Sequence, residues 1–417
     1  MSDPDVVTQR ARVQRRTLTV VVIAQILGGA GLAAGITVGA LLAEEMLGGE
    51  GLAGVPIALF TLGAALSAYL VGRLCQRSGR RIGLGLGFSV GGLGAIGIVV
   101  AAAIDNVPLL LLTLFVYGAG SATNLQSRYA GADLALPHER GRAISLGLFS
   151  TTFGAVAGPN LVGPMGRFAE HLDLPALSGP FVLAAAAYLA AGVTYLLFLR
   201  PDPLLLARRL ELAQAAAEPV VAPGPVRMRR GVWVGAIVMI TTQIAMAAIM
   251  TMTPVHMKHH HHDLSAVGLV IGLHIAAMYL PSPITGVLVD RIGRTAMAAA
   301  AGIVLLIAGV TGALAPGGSL AWMIVALMLL GLGWNLGLIA GTAMLVDATD
   351  QAERPRVQGS VDVLIALAGA GGGALSGVVV AASSFGALSV ASGLLALALV
   401  PVLGRRTFSG SQSSSLG

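Results

Sequence analysis

Cysteine is almost missing from this chain: Cys75 is the only one in 417 residues, which excludes an intramolecular disulfide and any thiolate metal cage. Charge is scarce too. Asp, Glu, Lys and Arg make up 11% of the residues against 56% hydrophobic, and a mean hydropathy of +0.85 does not describe a soluble globular protein. No phosphate-binding loop occurs, which argues against ATP hydrolysis within the chain. No nucleophile, base and orienter form a recognisable set, so no enzyme is expected and no cofactor is called for. The glycines around 369–373 lie in an apolar stretch, where they serve packing. The segment before Thr17 is too polar, and the apolar stretch after it too long, for a cleaved signal peptide.

What the chain has is long apolar runs. A helix needs about 20 largely apolar residues to cross a bilayer, and twelve such stretches are expected at 18–43, 52–74, 82–104, 108–128, 142–164, 177–199, 231–253, 266–288, 295–315, 319–345, 357–381 and 385–403. The fold class is therefore an all-α polytopic membrane protein. Its partner is the lipid bilayer.

Arginines recur on one side of these spans: Arg10, Arg12, Arg15 and Arg16, then Arg73, Arg77, Arg80 and Arg81, then Arg140, Arg142, Arg291, Arg294, Arg354, Arg356, Arg405 and Arg406. The positive-inside rule makes that side cytoplasmic and puts both termini there, in a bacterial inner membrane. The other loops carry Glu44, Glu45, Glu50, Asp105, Glu170, His171 and Asp173, with Arg167 and Lys258 as basic exceptions. A net charge of +6 thus reflects topology, and no nucleic-acid partner is expected.

Pro201, Pro203, Pro219, Pro223, Gly224 and Pro225 interrupt the spans and mark a linker. The expected organisation is a cytoplasmic tail at 1–17, a six-helix half at 18–199, a linker at 200–230, a second six-helix half at 231–403 and a tail at 404–417. The halves repeat. Gly72-x-Leu74-x-Gln76-Arg77-x-Gly79-Arg80 returns as Gly286-x-Leu288-x-Asp290-Arg291-x-Gly293-Arg294, and Asp133 with Glu139-Arg140-x-Arg142 returns as Asp347 with Glu353-Arg354-x-Arg356. Both pairs are offset by 214 residues, since 286 less 72 equals 347 less 133.

Six plus six spans with this glycine and arginine motif resemble the major facilitator superfamily of secondary transporters. The resemblance implies two pseudo-symmetric halves alternating access around a central cavity. It also implies a gating role for Gly72, Arg77, Gly79, Arg80, Gly286, Asp290, Arg291, Gly293 and Arg294, whose charges would pair with the opposite half. Gln76 stands where the family usually has an acid, which predicts a weaker latch in the first copy. Asp133, Asp347 and Asp362 lie near cytoplasmic helix ends and are expected to pair with Arg142 or Arg356. Gln25, Asn124, Gln126, Gln243 and Asn335 are cavity candidates or interhelical hydrogen-bonders.

Spans seven and eight carry Met246-x-x-x-Met250 and His274-x-x-x-Met278. Residues at i and i+4 share a helix face, and thioether with imidazole inside a membrane suits copper. Met also fills gaps in apolar helices, and His274 also suits a proton relay. Beside them lies an internal run, His256, Met257, Lys258, His259, His260, His261 and His262, which reads as a metal entry site or a solvated loop with incidental affinity.

The spacing of these residues resembles CcoA-type copper importers. That resemblance implies copper, as Cu(I) or a complex, captured by the histidine run, passed along Met250, Met246, His274 and Met278, and released to the cytoplasm for haem-copper oxidase assembly. Copper is then cargo, with a cytoplasmic copper chaperone or oxidase assembly factors as partners and the carrier working as a monomer. An alternative stays open: Gly154-x-x-x-Gly158-Pro159-x-x-x-Gly163 is similar to the span-five motif of proton-coupled antiporters that export drugs or metabolites, though Arg128 stands where their span-four arginine motif is absent. The glycines also permit close helix packing and the proline a bend. A nontransporting metal sensor on the same fold is a further alternative.

Overall fold

The computed structural model describes residues 4–47, 54–217, 230–262 and 264–399. Within a bilayer every backbone N–H and C=O has to be satisfied inside its own segment, so apolar runs become helices. Among the described residues all regular structure is helical. In order these are α1 (Pro4–Leu47), α2 (Gly54–Ala103), α3 (Val107–Ala132), α4 (Arg140–Glu170), α5 (Gly179–Phe198), α6 (Pro203–Ala217), α7 (Arg230–His259), α8 (Leu264–Tyr279), α9 (Ser282–Ile292), α10 (Arg294–Leu314), α11 (Leu320–Asp347), α12 (Arg354–Ala382) and α13 (Phe385–Leu397).

As far as they are described, the twelve expected spans fall on these helices, two of them on α2 and one divided between α8 and α9, with residues 52–53 and 400–403 outside the described residues. Eight of the described segments are long and apolar enough to cross a membrane. Two boundaries differ from expectation. α1 starts at Pro4, so the helix runs through the segment expected to be a tail, and the linker contains α6. Linker residues 218–229 and the tail at 404–417 lie outside the described residues.

The chain forms two compact units: Met1–Arg227 with Thr349–Leu367, and Met228–Ala348 with Ala368–Gly417. In the first, α2 packs on α3 and α5, and α1 on α4 and α5. Its core holds Tyr117, Tyr188, Phe88, Phe181 and Tyr195, with Phe88 stacked on Tyr195 at 5.9 Å and Tyr117 edge-on to Phe181 at 5.6 Å. Such ring pairs add to the burial of large apolar area. In the second unit α11 packs against α7, α8 and α10, and α10 against α13.

The first unit thus includes a piece of the chain's second half, contrary to a simple division at the linker. A close approach explains it. A Cβ on Gly359 would stand 2.8 Å from the Ala68 carbonyl oxygen and 3.0 Å from the Gly72 Cα, so the start of α12 lies against α2 where any side chain would intervene. Gln351 Nε2 donates to the Asp133 carbonyl at 3.0 Å, and Arg208 on α6 donates to the carbonyls of Gln351 and Ala352 at 3.3 and 3.0 Å.

Candidate functional site

Span eight is broken at its middle. Pro281 and Pro283 have no N–H for the carbonyls of Ala277 and Tyr279, so α8 ends at Tyr279 and α9 begins at Ser282. Asn335, fully buried on α11, meets the break: its Nδ2 donates to the Met278 carbonyl at 2.7 Å and lies 2.7 Å from Ser282 Oγ. One helical step away Trp334 donates from Nε1 to Gln243 Oε1 on α7 at 2.8 Å. Tyr279 stands edge-on to that indole, ring centroids 5.7 Å apart. Gln243 and Trp334 both lie near the middle of their helices, so the cluster sits at mid-span. Discontinuous helices at that depth are where secondary transporters build substrate sites.

Two cavity candidates, Gln243 and Asn335, belong to this cluster. Sequence reasoning missed Tyr279, Ser282 and Trp334. The signal was Leu280-Pro281-Ser282-Pro283, a double proline in the interior of an apolar run.

The copper ladder borders the same break. His274 is fully buried, and Met246 and Met278 are each 7% exposed. The Leu327 carbonyl can only accept, so His274 Nδ1 donates to it, at 2.7 Å. That leaves the Nε2 lone pair free, and Nε2 has no hydrogen-bond partner among the described residues. α8 and α7 each pack on α11, and Met250 is half-buried.

Among the described residues no three His, Cys, Asp or Glu side chains are grouped so as to hold a metal ion. α7 continues through His259, and His256 and His260 stand one turn apart with their rings in contact. His256 stacks flat on Phe385 at 4.2 Å, His260 stands edge-on to His256 at 4.6 Å, and His262 Nε2 donates to the Gly317 carbonyl at 3.1 Å.

In the first unit Gln25 is buried with Nε2 3.5 Å from the Gly147 carbonyl, and Gln126 Nε2 donates to the Ala68 carbonyl at 2.7 Å. Asn124 is 5% exposed and its Nδ2 has no partner among the described residues. Both side chains thus reach a carbonyl on a neighbouring helix. The backbone of the Gly154-to-Gly163 motif is helical within α4, but the side chains at 155–160 lie outside the described residues.

The repeated motif forms two corners. Gly79 (φ 86°) turns the chain at a kink that divides α2 into two helical segments, and Gly293 (φ 105°) turns it between α9 and α10, both in a region of backbone space open essentially to glycine. Each following arginine pairs with the aspartate of the same repeat copy: Arg80 with Asp133 at 2.8 Å and Arg294 with Asp347 at 3.0 Å. Arg294 also lies 3.6 Å from Asp290. Arg77 and Arg291 are exposed. Gln76 donates from Nε2 to the Ala352 carbonyl, a bond the family's usual carboxylate cannot make because it has no proton to give.

The third aspartate, Asp362 on α12, is paired with Arg128 on α3, Nη2 to Oδ1 2.8 Å. The partners of Asp133, Asp347 and Asp362 are therefore Arg80, Arg294 and Arg128, where Arg142 or Arg356 was expected. Helix-end proximity in sequence favoured the nearer arginines, but residues 53 or 234 positions away occupy the facing helices.

A duplicated set of membrane helices, an arginine corner in each copy and a broken span at mid-depth define a multi-pass membrane carrier. The profile of the Major Facilitator Superfamily matches residues 20–334 and 235–415, and the chain belongs to that family. The uncharacterized MFS-type transporter YdeG of Bacillus subtilis (strain 168) is 61% identical over 394 residues, covering 93% of this chain and 91% of that one. The riboflavin transporter RfnT of Brucella anthropi is 30% identical over 413 residues, 94% and 96% of the two chains. Among solved structures, the human organic anion transporter MFSD10 aligns with TM-score 0.74 at 18% identity over 94% of this chain and 99% of that one. The proton:xylose symporter XylE aligns with TM-score 0.72 at 16% identity, covering 95% and 96%; both show the fold. The narrower resemblance to CcoA-type copper importers is not supported. It rested on four residues, whereas these relatives match along more than nine-tenths of the chain and none of them is named for copper.

Proposed function

We propose that this secondary transporter carries a small organic solute with a planar, hydrogen-bonding ring system, and that the site at the break of span eight receives it. The observation that carries this reading is the mid-span cluster of Trp334, Gln243, Tyr279 and Asn335. It offers ring faces and neutral hydrogen-bonding groups, the chemistry of an uncharged heteroaromatic. The name of RfnT, a riboflavin transporter, supports the same class. The carrier works in the bacterial inner membrane with its arginine-rich loops in the cytoplasm.

One observation favours copper as a second reading. With Nδ1–H fixed on a backbone carbonyl, His274 presents Nε2 as metal-ligating histidines do, four residues from Met278. Cofactors enter neither reading, since copper would be cargo.

A single experiment separates the two. Proteoliposomes with the intact chain are given radiolabelled riboflavin or radioactive Cu(I), beside Trp334→Ala and the fourfold Met246, Met250, His274, Met278 alanine variant. The organic reading expects riboflavin flux that Trp334→Ala abolishes and background copper flux. Copper flux lost in the fourfold variant, with no riboflavin flux, overturns it.

A further inference from the structure

The last turn of α7 gathers histidines. His256 and His260 stand at i and i+4, so they share a helix face, and the backbone stays helical between them: the His260 N–H donates to the His256 carbonyl at 3.3 Å. The chain then reverses. The His262 N–H donates to the Met257 carbonyl at 3.1 Å and the His261 N–H to the Lys258 carbonyl at 3.0 Å, the paired bonds that close a helix over a left-handed residue. That residue is His261, φ 61°, where glycine or asparagine usually stands. The reversal carries His262 to the turn between α10 and α11, where its Nε2 donates to the Gly317 carbonyl. His260 lies on the same residue, since a Cβ at Gly317 would run into its ring.

Each ring of the pair thus has a fixed support, Phe385 at the start of α13 under His256 and Gly317 under His260. The two rings touch, with centroids 4.6 Å apart. His256 Nε2 is buried and has no hydrogen-bond partner among the described residues, which is costly for a polar atom. Two imidazoles at i and i+4 on one helix face are the spacing by which helices hold zinc. Nitrogens bound to one tetrahedral ion stand about 3.3 Å apart, so rings already in contact need only small rotations, and His260 is exposed. With no third such ligand grouped here among the described residues, water fills the remaining positions, and the site is an exchangeable one rather than a closed structural cage.

We propose that His256 and His260 chelate one divalent transition-metal ion of the zinc class, on the side of the membrane opposite the arginine-rich loops, and that the ion fixes the last turn of α7 against Phe385 and Gly317. Each neutral imidazole gives one nitrogen lone pair, Nε2 in the case of His256, and the ion displaces water without oxidation or reduction. The pair is separate from the Met246, Met250, His274 and Met278 ladder and binds its ion whichever solute the carrier moves.

Zn²⁺ alone is the probe, titrated calorimetrically into the full chain in detergent after purification through a tag free of histidine. The intact chain is expected to bind one ion per molecule at this site, and Zn²⁺ to slow hydrogen exchange of residues 253–262 several-fold. H256F keeps a ring on Phe385 but removes both nitrogens, and H260A alters an exposed residue, so the second keeps the test open should the first fold poorly; each loses the bound ion and the protection. The double variant H259A/H261G, whose glycine suits the left-handed cap, retains both, as does the fourfold alanine variant of the ladder. Zn²⁺ binding unchanged in H260A or in a folded H256F overturns the proposal, as does exchange of 253–262 unmoved by Zn²⁺. An equal loss in H259A/H261G would assign the ion to the histidine run as an unstructured tract, and a loss in the fourfold variant would assign it to the ladder; either result overturns the pair as the site.

Discussion

The two copies of the arginine corner share a sequence motif, a left-handed glycine and an ion pair, yet they are buried to very different degrees. Arg80 and Asp133 have side chains 1% and 0% exposed; Arg294 and Asp347 are 19% and 35% exposed. The first corner is also cross-linked. Arg80 reaches Gln358, Asp202 accepts the Arg81 N–H at 2.7 Å, and Gln76 accepts at its carbonyl from Arg208 at 2.9 Å. Duplication thus supplied one device twice, and the surroundings made a core element of the first copy and a surface element of the second. An ion pair's contribution follows from its environment more than from its distance.

The sharpest test of that comparison is to remove the arginine from each copy. Arg80→Ala strands a buried carboxylate and is expected to destabilise the protein by about 3–5 kcal/mol. Arg294→Ala breaks a partly exposed pair and costs less than about 1 kcal/mol. Denaturant unfolding of the purified protein in one detergent measures both. Equal losses would mean that burial does not separate the two corners.

This difference was invisible in the sequence for a physical reason. Gly79-Arg80 and Gly293-Arg294 read alike, and the repeat revealed the helices, the fold and the two corners because apolar periodicity and glycine placement are local properties. What buries the first corner arrives from Asp202, Arg208 and Gln358, far along the chain. The same holds for the candidate site. Gln243 and Asn335 were legible as polar residues within spans, but Trp334 and Tyr279 look like ordinary apolar residues until the break after Tyr279 brings them together.

A second test uses the glycines. Both occupy backbone space that costs other residues about 1–3 kcal/mol, so Gly293→Ala and Gly79→Ala share that loss. A Cβ on Gly293 meets no atom within 4 Å, whereas one on Gly79 runs into the Asp202 carboxylate. Gly79→Ala is therefore the more damaging, and the excess should shrink in an Asp202→Ala background. Additive losses in the double variant would place the strain in the backbone alone and remove steric crowding from the account of the first corner.

The smallest expected effect separates geometry from charge at Asp202. Its Oδ1 accepts the N–H groups of Leu204 and Leu205 at 3.0 and 3.1 Å, and its Oδ2 accepts that of Arg81, so one carboxylate serves the first turn of α6 and the helix that follows Gly79. Asp202→Ala loses these acceptors and should cost about 1 kcal/mol, as cap removal does. Asp202→Asn keeps the oxygen that faces α6, and Asn caps as well as Asp, but its amide nitrogen cannot accept from Arg81. Its loss, read from the same unfolding curves, should fall between wild type and Ala. A loss as large as that of Ala would assign the stabilisation to the Arg81 contact, and hence to the corner itself; no loss at all would assign it to α6, leaving Asp202 outside what distinguishes the two copies.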